Sequence, residues 1–262
     1  MRITVLGCGA APGVPVIGPY WGNCDPNEPR NRRRRVSILV DSDTAEGPLL
    51  VDTSPDLREQ LLDAEVSRIG GVLYTHAHAD HLHGIDDLRS LNRIQLAAIP
   101  AYATEETWAS IGKRFGYVFE PPSSYNGKIF FYRPSLTAHT VVPGQTFEAA
   151  GVTVVPFEQD HGFGARTTGY RFGAAAYSTD VFDLSGEAFA ALEGIELWIL
   201  DCLSYSPIPN HAHVAKALAW FERVKPKRLV LTHMGTDLDY QRLRRELPAG
   251  VEPGYDGMVL EV

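Results

Sequence analysis

The amino-acid sequence predicts an α/β fold in which two sheets carry helices on their outer faces, within one domain spanning residues 1–262. Short apolar runs of β type alternate with stretches of helical period along the whole chain. The two halves read alike, each passing from strands to helices and back to strands, although no repeat is detectable residue by residue. No stretch is rich enough in Gly or Ser to act as a linker.

Taken in order, β-type runs stand at Ile3–Leu6, Val36–Val40, Leu49–Val51, Gly71–Tyr74 and Ile129–Tyr132 in the first half. The second half has Val152–Phe157, Thr168–Phe172, Ala174–Ser178, Leu197–Leu200, Arg228–Leu231 and Met258–Val262. Helical spacing predicts helices over Asp56–Glu65, Asp80–Asn92, Thr104–Phe115, Gly186–Leu192, His211–Arg223 and Asp237–Glu246. Frequent punctuation, 24 Gly and 18 Pro, keeps these elements short.

The bulk composition narrows the function. Apolar residues at 44% and charged residues at 21% are an ordinary globular balance and argue against disorder. A net charge of −8 excludes a protein that coats nucleic acid, so any anionic substrate must be drawn in by local charge, which a metal centre would supply. No apolar run approaches the ~20 residues of a membrane span, and Arg2 is followed at once by a short run ending at Gly7, unlike a signal peptide. Cys8, Cys24 and Cys202 lie far apart and give no disulfide framework, so a reducing cytoplasm is the expected location. The basic run Arg30–Arg35 has no interleaved aromatics and reads as a solvated loop with a few salt bridges. Whether one of its arginines reaches a substrate phosphate stays open.

The chemistry concentrates after the run Val72–Thr75, in His76-Ala77-His78-Ala79-Asp80-His81. In an extended loop, residues two apart face the same side, so His76 and His78 can grip one metal together. Asp80 and His81 begin the next helix and diverge from that pair, free to serve a second metal. Imidazole with carboxylate suits Zn, Mn or Fe. The same pattern of an apolar β run ending in a ligand recurs at His161, Asp180 and His233. Asp52, at the end of Leu49–Val51, is expected to orient a metal-bound histidine through its other ring nitrogen or to form a strand-end turn. His139 lies in a polar stretch outside that pattern and reads as structural.

The segment with H-x-H-x-D-H spacing, followed by His161, Asp180 and His233, resembles the metallo-β-lactamase superfamily. That resemblance implies an αββα four-layer sandwich with metals at the sheet edges. It implies one metal on His76, His78 and His161, a second on Asp80, His81 and His233, and Asp180 bridging both. Leu6–Pro15, Asp25–Arg33 and His83–Arg89 resemble, more narrowly, the phosphoribosyl 1,2-cyclic phosphate phosphodiesterase group of phosphonate utilisation. By that resemblance His211, in Pro209-Asn210-His211-Ala212-His213, is the active-site histidine ahead of the last ligand, with His213 secondary. The group's better-known member has a further zinc on three cysteines and a histidine; here Cys24 alone remains, with Pro19, Trp21 and Thr236 at the other positions, so a third metal is not expected.

The expected activity is therefore a phosphodiesterase that uses two divalent ions, Mn or Zn with Fe as a further option, and attacks with a metal-bound hydroxide. His211 and the metal-holding Asp80 are the expected catalytic residues, with His211 protonating the leaving oxygen. The expected partner is a small phosphodiester or nucleotide-like substrate, with no large nucleic acid and no membrane; a homodimer stays open. A thioester or lactone hydrolase of the same superfamily, a tRNA 3′-processing nuclease, a di-iron oxidase and a non-catalytic metal-binding module are the alternatives. The nuclease lacks its basic protruding arm here, and the oxidase lacks its flavodoxin-like domain.

Overall fold

The computed structural model describes residues 1–42 and 46–262. The first sheet opens with β1 (Arg2–Gly7), β2 (Ser37–Asp41), β3 (Leu49–Val51), β4 (Gly71–Leu73) and β5 (Ile99–Ala103). A separate hairpin of β6 (Ser123–Tyr125) and β7 (Lys128–Phe130) follows, and β8 (Leu136–Thr140) completes that edge. The second sheet holds β9 (Phe147–Ala149), β10 (Val152–Asp160), β11 (Arg166–Phe172), β12 (Ala175–Ser178), β13 (Leu197–Asp201), β14 (Arg228–Thr232) and β15 (Val251–Pro253). Finally β16 (Val259–Glu261) returns to pair with β1.

The likeness of the two halves is a likeness of topology. Along β16-β1-β2-β3-β4-β5-β8, three antiparallel pairings are followed by three parallel ones. Along β9-β10-β11-β12-β13-β14-β15 the same succession recurs. The two sheets are flanked by helices, the arrangement of a four-layer sandwich.

Strand alternation builds the layers. Ile38, Val40, Leu49, Val51 and Leu73 face the second sheet and meet Val154, Tyr170, Phe172 and Ile199 in one core. Their neighbours Leu39, Leu50, Val72 and Tyr74 face the other way. There they pack under Leu57 and Leu61 of α1 (Leu57–Asp63) and, across α2 (Ala79–Leu82), under Leu88 and Leu91 of α3 (Leu88–Gln95) and Ile111 of α4 (Glu105–Phe115). On the second sheet, α5 (Gly186–Ala191), α6 (Val214–Val224) and α7 (Tyr240–Glu246) contribute Phe189, Trp220 and Leu243 to the main core. Each such large apolar side chain removed from water contributes about 1.5–3 kcal/mol. No helix among the described residues is long and apolar enough to cross a membrane.

Several elements differ from the sequence expectation. The helix expected over Asp80–Asn92 is broken: α2 ends at Leu82, a 3-10 turn covers Ile85–Asp87, and α3 begins at Leu88. Gly84 lies at the break, where a Cβ would overlap the Ser54 carbonyl. The helix expected from His211 starts at Val214 with His213 as its N-cap, leaving His211 in the preceding loop. The run Ile129–Tyr132 does not join a main sheet; β7 is an exposed arm of the hairpin. His139 lies on β8, its ring stacked on Tyr102 at 4.9 Å.

The arginine run is less solvated than its composition suggests. Arg33 is buried and donates to the carbonyls of Gly235 at 3.1 Å and Leu238 at 2.6 Å. Arg34 pairs with Asp63 and Asp256, and Arg35 with Asp56, in line with the expected salt bridges.

Candidate metal centre

Strand ends of both sheets converge on one point. The Thr168 amide donates to the Thr75 carbonyl at 2.9 Å and the Tyr170 hydroxyl to the Tyr74 carbonyl at 2.8 Å, pinning the start of the histidine segment against the second sheet. The Thr53 amide donates to the His81 carbonyl at 2.8 Å, so the end of β3 holds α2 in place. Three residues that follow strands, Asp52, Asp180 and His233, carry φ of +63°, +52° and +55°. Such backbone costs of order 1–3 kcal/mol per residue and persists where the surroundings over-determine it. Here it turns each side chain out of its strand's alternation.

Ligand-type atoms gather in two sets sharing Asp180: His76, His78, His161 and Asp180 in one, Asp80, His81, His233 and Asp180 in the other, each within 4.8 Å. All seven residues singled out in the sequence are thus brought together. Asp180 lies 3.8 Å from Nε2 of His76 and 3.7 Å from Nε2 of His161 through one oxygen, and 3.0 Å from Nε2 of His81 and 3.4 Å from Nε2 of His233 through the other. Asp80 adds 3.2 Å to His81 and 3.4 Å to His233.

These residues fit divalent ions. Nε2 of His76 and Nε2 of His81 are buried with no hydrogen-bond partner among the described residues, although carboxylate oxygens lie close by. Buried polar atoms are almost always paired, so nitrogens and oxygens aimed at a common point mark an ion site. The charge distribution agrees. Burial drives His76 well below the ordinary imidazole range and lowers His161, favouring the neutral form of both rings. Burial acts the same way on His81 and His233 and is the largest single influence, but Asp180, Asp80 and the nearby Asp52 or Asp201 together outweigh it, pushing His81 well above its ordinary range and His233 up to about 9. Burial raises Asp80, yet His81 and His233 together hold its carboxyl far below the usual range. Protons on His81 and His233 here balance carboxylate charge that a cation would balance.

The surrounding hydrogen bonds fix the rings. Asp52 accepts from the Thr75 amide and hydroxyl at 2.8 Å each and lies 2.7 Å from Nδ1 of His81. The Thr75 hydroxyl is also 3.0 Å from Nδ1 of His76, so one carboxylate orients two histidines. Nδ1 of His161 donates to the Asn210 carbonyl at 2.9 Å. Gly162, at φ +78°, allows this turn to lie against Pro209, whose carbonyl a Cβ would overlap.

His211 sits beside the cluster, its ring stacked on His233 at 4.7 Å and edge-on to His161 at 4.9 Å. Its Nδ1 lies 3.0 Å from Asp201, whose other oxygen is 3.6 Å from Nδ1 of His233. Asp201 is the functional candidate the sequence reading passed over. It ends the apolar run Leu197–Leu200 in the same pattern that exposed Asp180 and His233. His213 is the N-cap of α6 and belongs to none of the ligand groups found among the described residues.

The neighbouring pocket holds about 430 Å³, with His76, His78 and His161 on one side and Ser110, Lys113 and Arg114 of α4 on another.

Comparison with known proteins agrees with the fold. Residues 48–234 match the family described as Beta-lactamase superfamily domain. A crystal structure of a new diphosphatase from the PhnP family superposes with a TM-score of 0.87 at 34% identity, covering 100% of this chain and 97% of that one. The chain belongs to the β-lactamase superfamily and, within it, to the PhnP family. The Zn²⁺-bound PqqB from Methylobacterium extorquens shares the fold, with a TM-score of 0.76, 20% identity and 100% coverage of both chains. An octanoyltransferase of Porphyromonas gingivalis (strain ATCC BAA-308 / W83) is 32% identical over 260 residues, 98% of this chain and 51% of the relative, so the chain spans about half the length of that protein.

Proposed function

We propose that this chain hydrolyses small phosphodiesters, cyclic ribose phosphates or nucleotide-like diesters, with two divalent metal ions. His76, His78 and His161 would hold one ion, Asp80, His81 and His233 the other, and Asp180 both. Mn and Zn suit this nitrogen and oxygen set best, and Fe is also accepted by it. Bound there, the ions would supply Lewis-acid polarisation of the phosphoryl oxygens and an activated water near neutral pH.

The observation that carries the reading is His211 held through Nδ1 by Asp201, against the rings of His161 and His233. With Nδ1 so engaged, Nε2 is the atom that delivers a proton to an oxygen leaving from the site. Ester bonds with poor leaving groups need that proton most. Asp201 keeps the ring in the tautomer and orientation required, as carboxylates behind such histidines do. A pocket of about 430 Å³ is of the size that holds one small molecule. The PhnP-family diphosphatase at 34% identity supports phosphoric-ester chemistry. Three buried free thiols, Cys8, Cys24 and Cys202, accord with a reducing cytoplasm.

The octanoyltransferase relative raises a second reading, hydrolysis of an acyl thioester. The pocket wall of Lys113, Arg114 and Arg166 favours an anion over an octanoyl chain. The deciding experiment reloads metal-free protein with Mn or Zn and compares bis(p-nitrophenyl) phosphate with p-nitrophenyl phosphate, a thioester and a lactam. A preference for the diester is expected; a preference for the thioester would overturn the assignment.

A further inference from the structure

Far along the first sheet from its return strand, β8 forms an open edge. It pairs with β5 on one side and, among the described residues, with no strand on the other. The Ile99 amide donates to the Ser135 carbonyl and the Val141 amide to the Ala103 carbonyl, so the odd-numbered residues bond toward β5. The amides and carbonyls of Leu136, Ala138 and Thr140 therefore point out of the sheet. Four of the five β8 residues are exposed. The edge carries none of the usual devices against strand pairing: no formal charge, no proline and no bulge.

The surrounding composition sets this face apart. No Asp or Glu stands between Glu120 and Glu148, the longest such stretch in a chain of net charge −8. Within it Tyr125, Ile129, Phe130, Tyr132 and Val142 are 46–70% exposed. Lys128 and Arg133 are its only lysine and arginine, and Arg133 pairs with Glu120. Surface rich in aromatics and poor in carboxylates has the make-up of an interface core. Two copies of an acidic chain repel each other through most faces, but not through this one.

We propose that the β8 edge joins two copies of this chain, paired antiparallel about a two-fold axis at Ala138. In that register Ala138 faces its own counterpart and Leu136 faces the counterpart of Thr140, so every outward amide and carbonyl meets its complement. Thr137 stands opposite the counterpart of His139, and no like formal charges meet across the strands. Antiparallel pairing also brings the start of one β8, which the β6–β7 hairpin enters with Phe130 and Tyr132, to the end of the other, where Val142 stands. Five large apolar side chains of about 150–250 Å² each, roughly half exposed, add to the exposed β8 residues. Together they offer roughly 700–800 Å² per copy, the area of a standard stable interface.

Sedimentation velocity over a wide concentration range tests this without metal or turnover. Wild type should sediment as a dimer that dissociates on dilution. Ala138→Pro deletes an outward amide and touches no bond to β5, whereas Ala138→Lys sets two ammonium groups face to face. Each should raise the dimer dissociation constant about tenfold or more. Circular dichroism reports whether each is folded, and the lysine variant, whose new side chain lies in solvent, decides if proline disturbs β8. The three native cysteines are buried, so Ala138→Cys adds the one exposed thiol. Mild oxidation should link that variant into a dimer, but not Ala219→Cys, placed on an exposed position of α6. A wild type that stays monomeric at every concentration overturns the proposal. So does a dimer that Ala138→Lys leaves intact, which would lie on another face.

Discussion

Oδ2 of Asp52 lies 2.7 Å from Nδ1 of His81, with both side chains completely buried. Through Thr75 the same carboxylate reaches His76, so it orients one histidine of each ligand set. Asp52→Asn keeps the shape but offers an amide where the ring nitrogen needs an acceptor. Metal affinity should fall about 10–100-fold, the usual effect of removing such a partner. Chelator competition with Zn would measure it, and wild-type affinity in the variant would show that Asp52 serves only as a turn former.

The pH response of the metal-free protein follows from the two kinds of histidine. His233 is pushed up to about 9, with Asp180, Asp80 and Asp201 together overcoming burial, whereas an unfolded histidine titrates at about 6.5. Below about 6.5 both states hold the proton and its stabilisation is complete. Between about 6.5 and 9 only the folded state holds it, so stability declines as pH rises. His81 moves in the same direction. His76 and His161 move oppositely and act below about 6.5, where stability should climb with pH. A divalent ion must displace the protons on His81 and His233, so its affinity should increase from about pH 6.5 to 9. Thermal melts with and without Mn should show a falling metal-free Tm and a growing metal increment over that range. An increment that stays flat would contradict the assignment of His233 as a ligand.

His211→Ala separates proton delivery from metal binding. For a diester with an alkoxide leaving group the loss in kcat should be about 10²–10⁴-fold, the span of general acid catalysis, and far smaller for p-nitrophenolate, which departs without a proton. Asp201→Asn should show the same leaving-group dependence at lower amplitude, because the ring remains but its orientation and tautomer are no longer enforced. Equal losses on both substrates would reassign His211 to structure.

What the sequence made legible was whatever combined a buried strand with a polar end. The α/β class follows from the alternation of β and helical runs, and the candidate ligand residues and Asp52 from strands that end in polar side chains, because a strand interior is apolar for packing and its end is free for chemistry. Asp201 fits it equally and was missed because a lone carboxylate after Leu197–Leu200 carries no neighbouring histidine to draw notice. Strand β8 was hidden because Leu136–Thr140 lies at a sheet edge with four of its five residues exposed, which erases the period-2 signal. Strand β5 was hidden by Pro100 and two alanines in Ile99–Ala103, weak strand formers that nonetheless pack between β4 and β8. The break at Gly84 depends on a close approach to Ser54, a tertiary contact with no local signature.

Arg33 was read within a solvated run, and its burial has the largest expected consequence for stability. Its guanidinium satisfies the carbonyls of Gly235 and Leu238, lies 3.3 Å from Asn31 Oδ1, and contacts Cys24 Sγ at 3.9 Å. Asn31 in turn donates to Asp239 at 2.6 Å, so the segment from Cys24 to Arg33 is fastened to the stretch that follows His233. Arg33→Met fills similar volume but leaves the Leu238 carbonyl unpaired and the Gly235 carbonyl with only its 3.4 Å bond from the Leu238 amide, an unpaired buried carbonyl costing about 1–3 kcal/mol. Urea unfolding should show a loss of about 2–5 kcal/mol with an unchanged m-value. Arg33→Lys should recover only part of it, since an ammonium lacks the planar fork that spans two carbonyls. Because Gly235 is two residues beyond His233, the folded fraction of Arg33→Met should also bind metal less tightly. A stable variant with wild-type affinity would show that the loop is held by other contacts and that the buried guanidinium is dispensable.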